Sequence, residues 1–271
     1  MPLPDPLSRF RQLADPLVVG HRGFPSRYPE NTLPSFRAAV AAGVGMLEMD
    51  LQLSADGEVV VLHDATLERT TGVRARAGEL TLAQLTALDA GSWFSPRFAG
   101  TTLPSLAQVL AEFGGQVLLN LELKPGPEPG AARDLARRVW RDVASQGLGH
   151  AVVVSSFREE ACRAWREAGP GHLAVLAPAQ GGARGLSLAR ELGALCLNAP
   201  WQAVSVELVA AARRTGLGLL AFASRRQNGP TLFRRLLAQG VTGFFADNPA
   251  LCLREAARWR SSSGGEGHDL L

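Results

Sequence analysis

The chain has 271 residues, 46% of them apolar and 20% charged, a composition that excludes a disordered polymer. Its 28 basic and 25 acidic residues leave a net charge of +3, too even to point to nucleic acid or an anionic membrane surface. No run approaches the ~20 apolar residues of a membrane span, and the proline-rich N-terminus lacks the apolar stretch of a secretory signal. Cys162, Cys196 and Cys252 are far apart and odd in number, which argues against a disulfide framework or a cysteine-based zinc site. The expected home is the cytoplasm, with no nucleic-acid partner and no integral membrane association. No apolar surface is marked as a subunit interface, so the oligomeric state is left open.

In chain order, short β-branched or leucine-rich runs at 17–20, 46–53, 116–123, 151–155, 172–177, 194–198, 217–222 and 241–246 are predicted strands. Amphipathic patterns at 33–42, 131–146, 158–168, 183–192, 206–215, 231–239 and 249–260 are predicted helices, with arginine and glutamate recurring on one side. Strands alternating with helices imply βαβ units and a parallel sheet. Eight such strands over about 250 residues predict a closed (β/α)8 TIM barrel, an α/β fold. An open doubly wound sheet would carry G-x-G-x-x-G after the first strand, and VGHRGFPSRYPENT does not match it. The rhythm breaks once, over residues 54–115. This interval holds a β-like run at 58–63 and a helix-like run at 81–89, and is predicted to be a small insertion above the barrel mouth. The chain reads as one domain over residues 1–260, followed by a flexible Gly/Ser-rich tail at 261–271.

The chemistry-bearing residues fall where strands end. Glu48 and Asp50 are two apart in GMLEMDLQL and so share one side of a strand. In VLLNLELKP, Leu119, Leu121 and Leu123 take one side and Asn120, Glu122 and Lys124 the other. The leucines must face helices, so the polar set faces the barrel interior. Three carboxylates then converge, and their repulsion demands either retained protons or a cation. Oxygen-only ligands select a hard divalent ion, Mg2+ or Ca2+. His21 and His63 each close an apolar strand, and a pair of imidazoles can accept and donate protons. His150, His172 and His268 lack that context. Arg22 and Lys124 add positive charge at the same rim, suited to phosphate oxygens. Lys124 is the single lysine among the 28 basic residues, which singles it out further. One cation, two basic side chains and an acid/base pair describe a site for a phosphate ester.

HRGFPSRYPENTLPSF, LEMDLQLSADGEVVVLHDATLERTTG, LNLELKP and GVTGFFADNP together resemble the glycerophosphodiester phosphodiesterase family. AGELTLAQLTALDAGSWFSPRFAGTTLPSL resembles its bacterial cytosolic branch, and the likeness runs over residues 18–255. The resemblance implies a TIM barrel with an insertion after the second strand. It implies metal-dependent hydrolysis of a small-molecule glycerophosphodiester to sn-glycerol 3-phosphate and an alcohol. By the same resemblance His21 and His63 are the acid/base pair, Glu48, Asp50 and Glu122 the metal ligands, and Arg22 and Lys124 the phosphate contacts. Glu30 and Asn31, in the P-E-N-T stretch, support and orient the loop after the first strand. Two departures, Phe222-Ala223-Ser224 for the family's W-T-V-N region and Ala246-Asp247 for its T-D, touch the barrel mouth and bear on headgroup preference. Trp201 and Phe222 are expected walls for the glycerol or alcohol. Two alternatives are a lysophospholipase D-like activity, which needs a wide apolar mouth, and a silent phosphate- or metal-binding barrel. Against the silent barrel, every acid, base and ligand position is filled.

Overall fold

The structure, a computed structural model, describes residues 15–263. The N-terminal segment, the tail beyond residue 263 and His268 lie outside the described residues. Eight parallel strands close on themselves: β1 (Leu17–Gly20), β2 (Met46–Leu53), β4 (Leu118–Leu123), β5 (Val152–Ser156), β6 (His172–Leu176), β7 (Cys196–Pro200), β8 (Gly218–Phe222) and β9 (Gly243–Ala246). The barrel is sealed where β1 pairs with β9 on one side and with β2 on the other. This is the TIM barrel that the alternating pattern predicts, and each expected strand is present with its ends moved by no more than two residues.

The helical ring begins with α1 (Leu33–Ala42). Between β2 and β4 come β3 (Val59–Val61), α2 (Glu68–Thr71), α3 (Leu82–Leu85) and α4 (Leu106–Phe113). The ring continues with α5 (Ala131–Ser145), α6 (Glu159–Ala168), α7 (Gly182–Glu191), α8 (Val206–Arg214), α9 (Pro230–Gln239) and α10 (Pro249–Ser263).

The interval 54–115 needs two corrections. Helix α4 is a member of the ring and not part of an insertion, because Leu106, Val109, Leu110 and Phe113 are buried in the layer between strands and helices. Ser105 and Gln108 close a reciprocal capping box at its start, a sequence signal that marks the helix. The expected helix at 81–89 is only the single turn α3. The true insertion has its own small core, with Val60, Leu62, Leu67, Ala77, Leu85 and Leu103 packed together. At the far end, α10 runs three residues into the segment expected to be tail.

Alternation along the strands separates two apolar layers. Leu47, Met49 and Leu51 of β2 and Leu119, Leu121 and Leu123 of β4 face the helices. Inside the barrel, Leu17, Val19, Met46, Leu118, Val153 and Leu220 form a separate apolar plug. One pleat above Met46 and Leu118 the interior turns polar, with Glu48 and Asn120, then Asp50 and Glu122. The apolar floor therefore ends where the site begins.

The loop after β1 is held tightly. Ser35 Oγ donates to the Arg22 carbonyl at 3.0 Å and accepts from the Phe24 amide at 2.8 Å. Between them Gly23 has φ +90°, and a Cβ there would lie 2.7 Å from the Ser35 carbonyl carbon. Gly23→Ala should lower the unfolding free energy by about 2 kcal/mol or more, from the left-handed backbone and the clash together. Urea denaturation checks this, and a change below about 0.5 kcal/mol would mean the loop relaxes without strain.

Candidate active site

Strand register brings the acids together. Asp50 of β2 lies directly across from Glu122 of β4, and Glu48 lies one pleat below on the same side. One oxygen from each carboxylate falls within 4.8 Å of the others, and all three residues are buried. Among the described residues, no hydrogen-bond donor reaches Glu48 Oε1, and Asp50 Oδ1 has only the Lys124 ammonium at 3.3 Å. Lone pairs left unused in a buried, all-oxygen cluster fit a hard divalent cation. The cluster could thus hold the ion that the residue types suggest.

The charges in this cluster are divided unequally. Burial works against the Asp50 charge, but Arg22 and Lys124 outweigh it and hold Asp50 below the usual carboxylate range. Burial and the negative charge of Asp50 push Glu122 up to about 7. Burial, then Asp50 and Glu122, push Glu48 well above its ordinary value. Without a cation, Asp50 keeps its charge while Glu48 and Glu122 are driven toward their protonated forms. Lys124 donates to Glu122 Oε1 at 2.6 Å, and Asp50 and Glu122 raise its pKa against the effect of burial.

A hairpin delivers His63. β3 returns antiparallel along the overhanging end of β2, with Leu51 opposite Val61 and Leu53 opposite Val59. The Leu62 amide then donates to the Asp50 carbonyl at 2.9 Å, so the next residue, His63, arrives beside the acids. Its Nδ1 is 2.7 Å from Asp64 Oδ1. Burial lowers the His63 pKa, and Arg22 and Lys124 add to that against the pull of Asp50.

His21 follows β1, with its amide donating to Ala246 of β9. Its Nδ1 is 2.7 Å from Asp247 Oδ1, and its Nε2 lies 4.0 Å from Glu48 Oε2. Asp247 is pinned in turn, because its amide donates to Asn228 Oδ1 at 2.9 Å. Both imidazoles thus have Nδ1 engaged by a carboxylate, which leaves Nε2 as the ring nitrogen that could exchange a proton.

Arg22 and Asn31 both have left-handed backbones, at φ 54° and 57°, an arrangement costing about 1–3 kcal/mol each that the surrounding bonds hold in place. The Arg22 amide donates to Glu48 Oε2 at 2.9 Å, its Nη1 donates to Glu30 Oε1 at 2.9 Å, and its Nε is 3.3 Å from Asp50. Burial opposes the Arg22 charge, yet Asp50, Glu30 and Glu48 raise its pKa overall. Asn31 Nδ2 donates to Asp50 Oδ2 at 2.7 Å. Glu30 and Asn31 thus brace Arg22 and Asp50 respectively.

A cleft of about 510 Å³ opens over this cluster. His21, Arg22, Glu48, His63, Glu122 and Lys124 form one wall, and Phe157, Leu176, Phe222 and Phe245 contribute an apolar one. Phe222 meets Phe157 and Phe245 edge-on at 5.7 and 6.4 Å. The expectation for Trp201 is corrected. Its indole is outside the cleft lining, packed against the layer between strands and helices, donating to Gln227 Oε1 and lying under the Arg235 guanidinium, while the next residue, Gln202, lines the cleft.

Sequence reasoning missed Asp64, Asp247 and Arg69 as members of the site. Asp64 directly follows His63, and Asp247 directly follows the last strand as His21 follows the first, so an acid at a strand end was a usable signal. Arg69 carries no such mark, since it reaches Glu30 and Asp64 only through the folded insertion.

Residues 21–251 match the Glycerophosphoryl diester phosphodiesterase family. The chain belongs to this family. It is 31% identical over 237 residues to a glycerophosphodiester phosphodiesterase of Caldanaerobacter subterraneus subsp. tengcongensis, covering 86% of this chain and 94% of that protein. A Bacillus subtilis glycerophosphodiester phosphodiesterase is 30% identical over 250 residues, covering 87% and 84% respectively. Among solved structures, an Oleispira antarctica phosphodiesterase in complex with the product sn-glycerol 3-phosphate has a TM-score of 0.79 at 29% identity, over 89% of this chain and 97% of that one. A glycerophosphodiester phosphodiesterase from Agrobacterium tumefaciens has a TM-score of 0.73 at 26% identity, over 89% and 99%.

The acid cluster makes a pH-dependent expectation. Glu122 and Glu48 are both raised in the folded state, so without a cation the contribution of Glu122 to stability falls as pH rises from about 4.5 through about 7, and that of Glu48 changes in the same direction. A bound cation replaces those protons and reverses the trend. Adding Mg2+ or Ca2+ should raise Tm more at about pH 8 than at about pH 5.5, and calorimetry near neutral pH should register proton release. A Tm gain independent of pH would mean the cation binds elsewhere.

Proposed function

We propose that the protein hydrolyses glycerophosphodiesters to sn-glycerol 3-phosphate and an alcohol, using His21 and His63 for proton transfer and a divalent cation at Glu48, Asp50 and Glu122. The observation that carries this reading is one cleft lined by both imidazoles, Arg22, Lys124, Glu48 and Glu122, with Asp50 buried beside these two acids in the same cluster. Family membership and the product complex of the Oleispira antarctica relative support the choice of substrate class.

A hard cation, Mg2+ or Ca2+, when bound supplies positive charge against the non-bridging phosphoryl oxygens. The chain's own residues do the rest. Arg22 and Lys124 hold and orient the phosphate, Arg22 through its planar fork and Lys124 as a point charge. Burial keeps His63 neutral at pH 7, so its Nε2 takes the proton from the attacking oxygen. His21, held by Asp247 through Nδ1, gives a proton from Nε2 to the departing alkoxide. Asp64 and Asp247 stabilise the imidazolium that each histidine becomes in its turn. Phe157, Phe222 and Leu176 receive the carbon skeleton and keep water from that side of the cleft.

His21→Ala and His63→Ala should each lower kcat by roughly 100-fold or more, while circular dichroism and metal binding stay close to wild type. A coupled assay for glycerol 3-phosphate over choline, ethanolamine, glycerol and inositol diesters reads this and ranks headgroups at the same time. Full activity in either variant would remove that histidine from proton transfer. Chelation by EDTA should stop turnover and added Mg2+ or Ca2+ should restore it, whereas turnover indifferent to EDTA would take the cation out of the reaction.

A further inference from the structure

Arg69, in the short helix α2 beyond the hairpin that carries His63, spans two carboxylates with one guanidinium. Its Nη1 donates to Glu30 Oε2 at 3.1 Å and its Nη2 to Glu30 Oε1 at 2.6 Å. Its Nε donates to Asp64 Oδ2 at 2.6 Å, and Nη2 also reaches Asp64 Oδ1 at 3.2 Å. The ring of Trp93 lies against it, 5.1 Å from the guanidinium carbon. Both oxygens of Glu30 are therefore held from the insertion side.

Arg22 reaches the same carboxylate from the barrel side. Its Nη1 donates to Glu30 Oε1 at 2.9 Å, so that one oxygen serves two guanidinium groups, with the shorter bond belonging to Arg69. A phosphate arriving at Arg22 competes with Glu30 for Nη1. Glu30 is only 8% exposed, and a carboxylate stripped of its partner in such a place is strongly penalised. With Arg69 present, Glu30 keeps two charge-assisted bonds when Arg22 turns away.

We propose that Arg69 is a positioning residue that holds Glu30 in Arg22's stead, releasing the Arg22 fork to the phosphate of the diester. This rests on the reading of Arg22 as a phosphate contact. In the absence of Arg69, Glu30 has Arg22 as its remaining cation and locks it. The consequence falls on binding of the phosphate more than on proton transfer, because an aspartate without Arg69 is still ionised at pH 7 and Asp64 contacts His63 through its own oxygen.

The test compares wild type with Arg69→Ala, Arg69→Lys, Arg69→Ala/Glu30→Gln and Arg22→Ala, each saturated with Mg2+. KM and kcat are measured on glycerophosphocholine, and binding of sn-glycerol 3-phosphate is measured by calorimetry. Arg69→Ala should raise KM and weaken product binding roughly tenfold, the scale of a charge-assisted bond, with kcat changed by less than about threefold. Arg69→Lys, which lacks the planar fork, should move both in the same direction by less, and it carries the test if the alanine variant does not fold. Adding Glu30→Gln to Arg69→Ala should restore KM and product binding most of the way, because a neutral amide does not lock Arg22. A fall in kcat at unchanged KM would show that Arg69 acts through Asp64 on His63, and a double variant as weak as Arg69→Ala would show that Glu30 is not the intermediary. Either result overturns the proposal. Product binding unchanged in Arg22→Ala would overturn the underlying assignment of Arg22, a result distinct from a failure at Arg69 alone.

Discussion

Three carboxylates buried on adjacent parallel strands repel one another, and the arrangement around the barrel mouth follows from that repulsion. Asp50 keeps its charge because Arg22, Lys124 and the Asn31 amide surround it. Glu48 and Glu122, with less compensation, are driven toward their protonated forms. A hydrophobic replacement at these positions would pack more easily inside a barrel, so the acids are a cost to folding that a cation held among them would offset. The apolar plug beneath them, from Leu17 and Met46 to Leu220, supplies rigid walls on which these charges are mounted.

A second layer of carboxylates lies behind the first. Asp247 and Asp64 each engage the Nδ1 of a histidine, while Glu30 engages Arg22. These acids are themselves held, Asp247 by Asn228 and the other two by Arg69. Burial resists the Asp64 charge, but Arg69 and His63 bring its pKa down to about 2, so it stays ionised beside the imidazole. The insertion thereby supplies both a histidine and the arginine that joins it to the β1 loop, which makes its small separate core part of the active-site scaffold.

Much of this was legible along the chain. Alternation of Leu119, Leu121 and Leu123 with Asn120, Glu122 and Lys124 already requires one face toward helices and the other toward the interior. The pairing of His21 and His63 behind apolar strands pointed to the same rim. Helix α4 was not separated from the insertion because its eight residues lie at the end of a long irregular stretch, with only the Ser105/Gln108 capping box to mark it. Trp201 follows a strand and is therefore expected in the cleft, yet in the short helix after Pro200 it is Gln202 that lines the cleft while the indole packs against the layer between strands and helices. A side chain's distance from a strand end does not define its direction once the backbone leaves the sheet.

Local pattern alone thus determined the number of barrel strands, the sidedness of β2 and β4 and the types of residue at the mouth, because each depends on periods of two or of 3.6 residues. Tertiary structure decided which of those residues meet. The register of Asp50 against Glu122 and the closing of Asp247 onto His21 across the β1–β9 seam join segments far apart in the chain, and the return of His63 beside Asp50 needs β3 to pair with the overhanging end of β2. Such contacts depend on barrel closure and strand stagger, which no local period encodes.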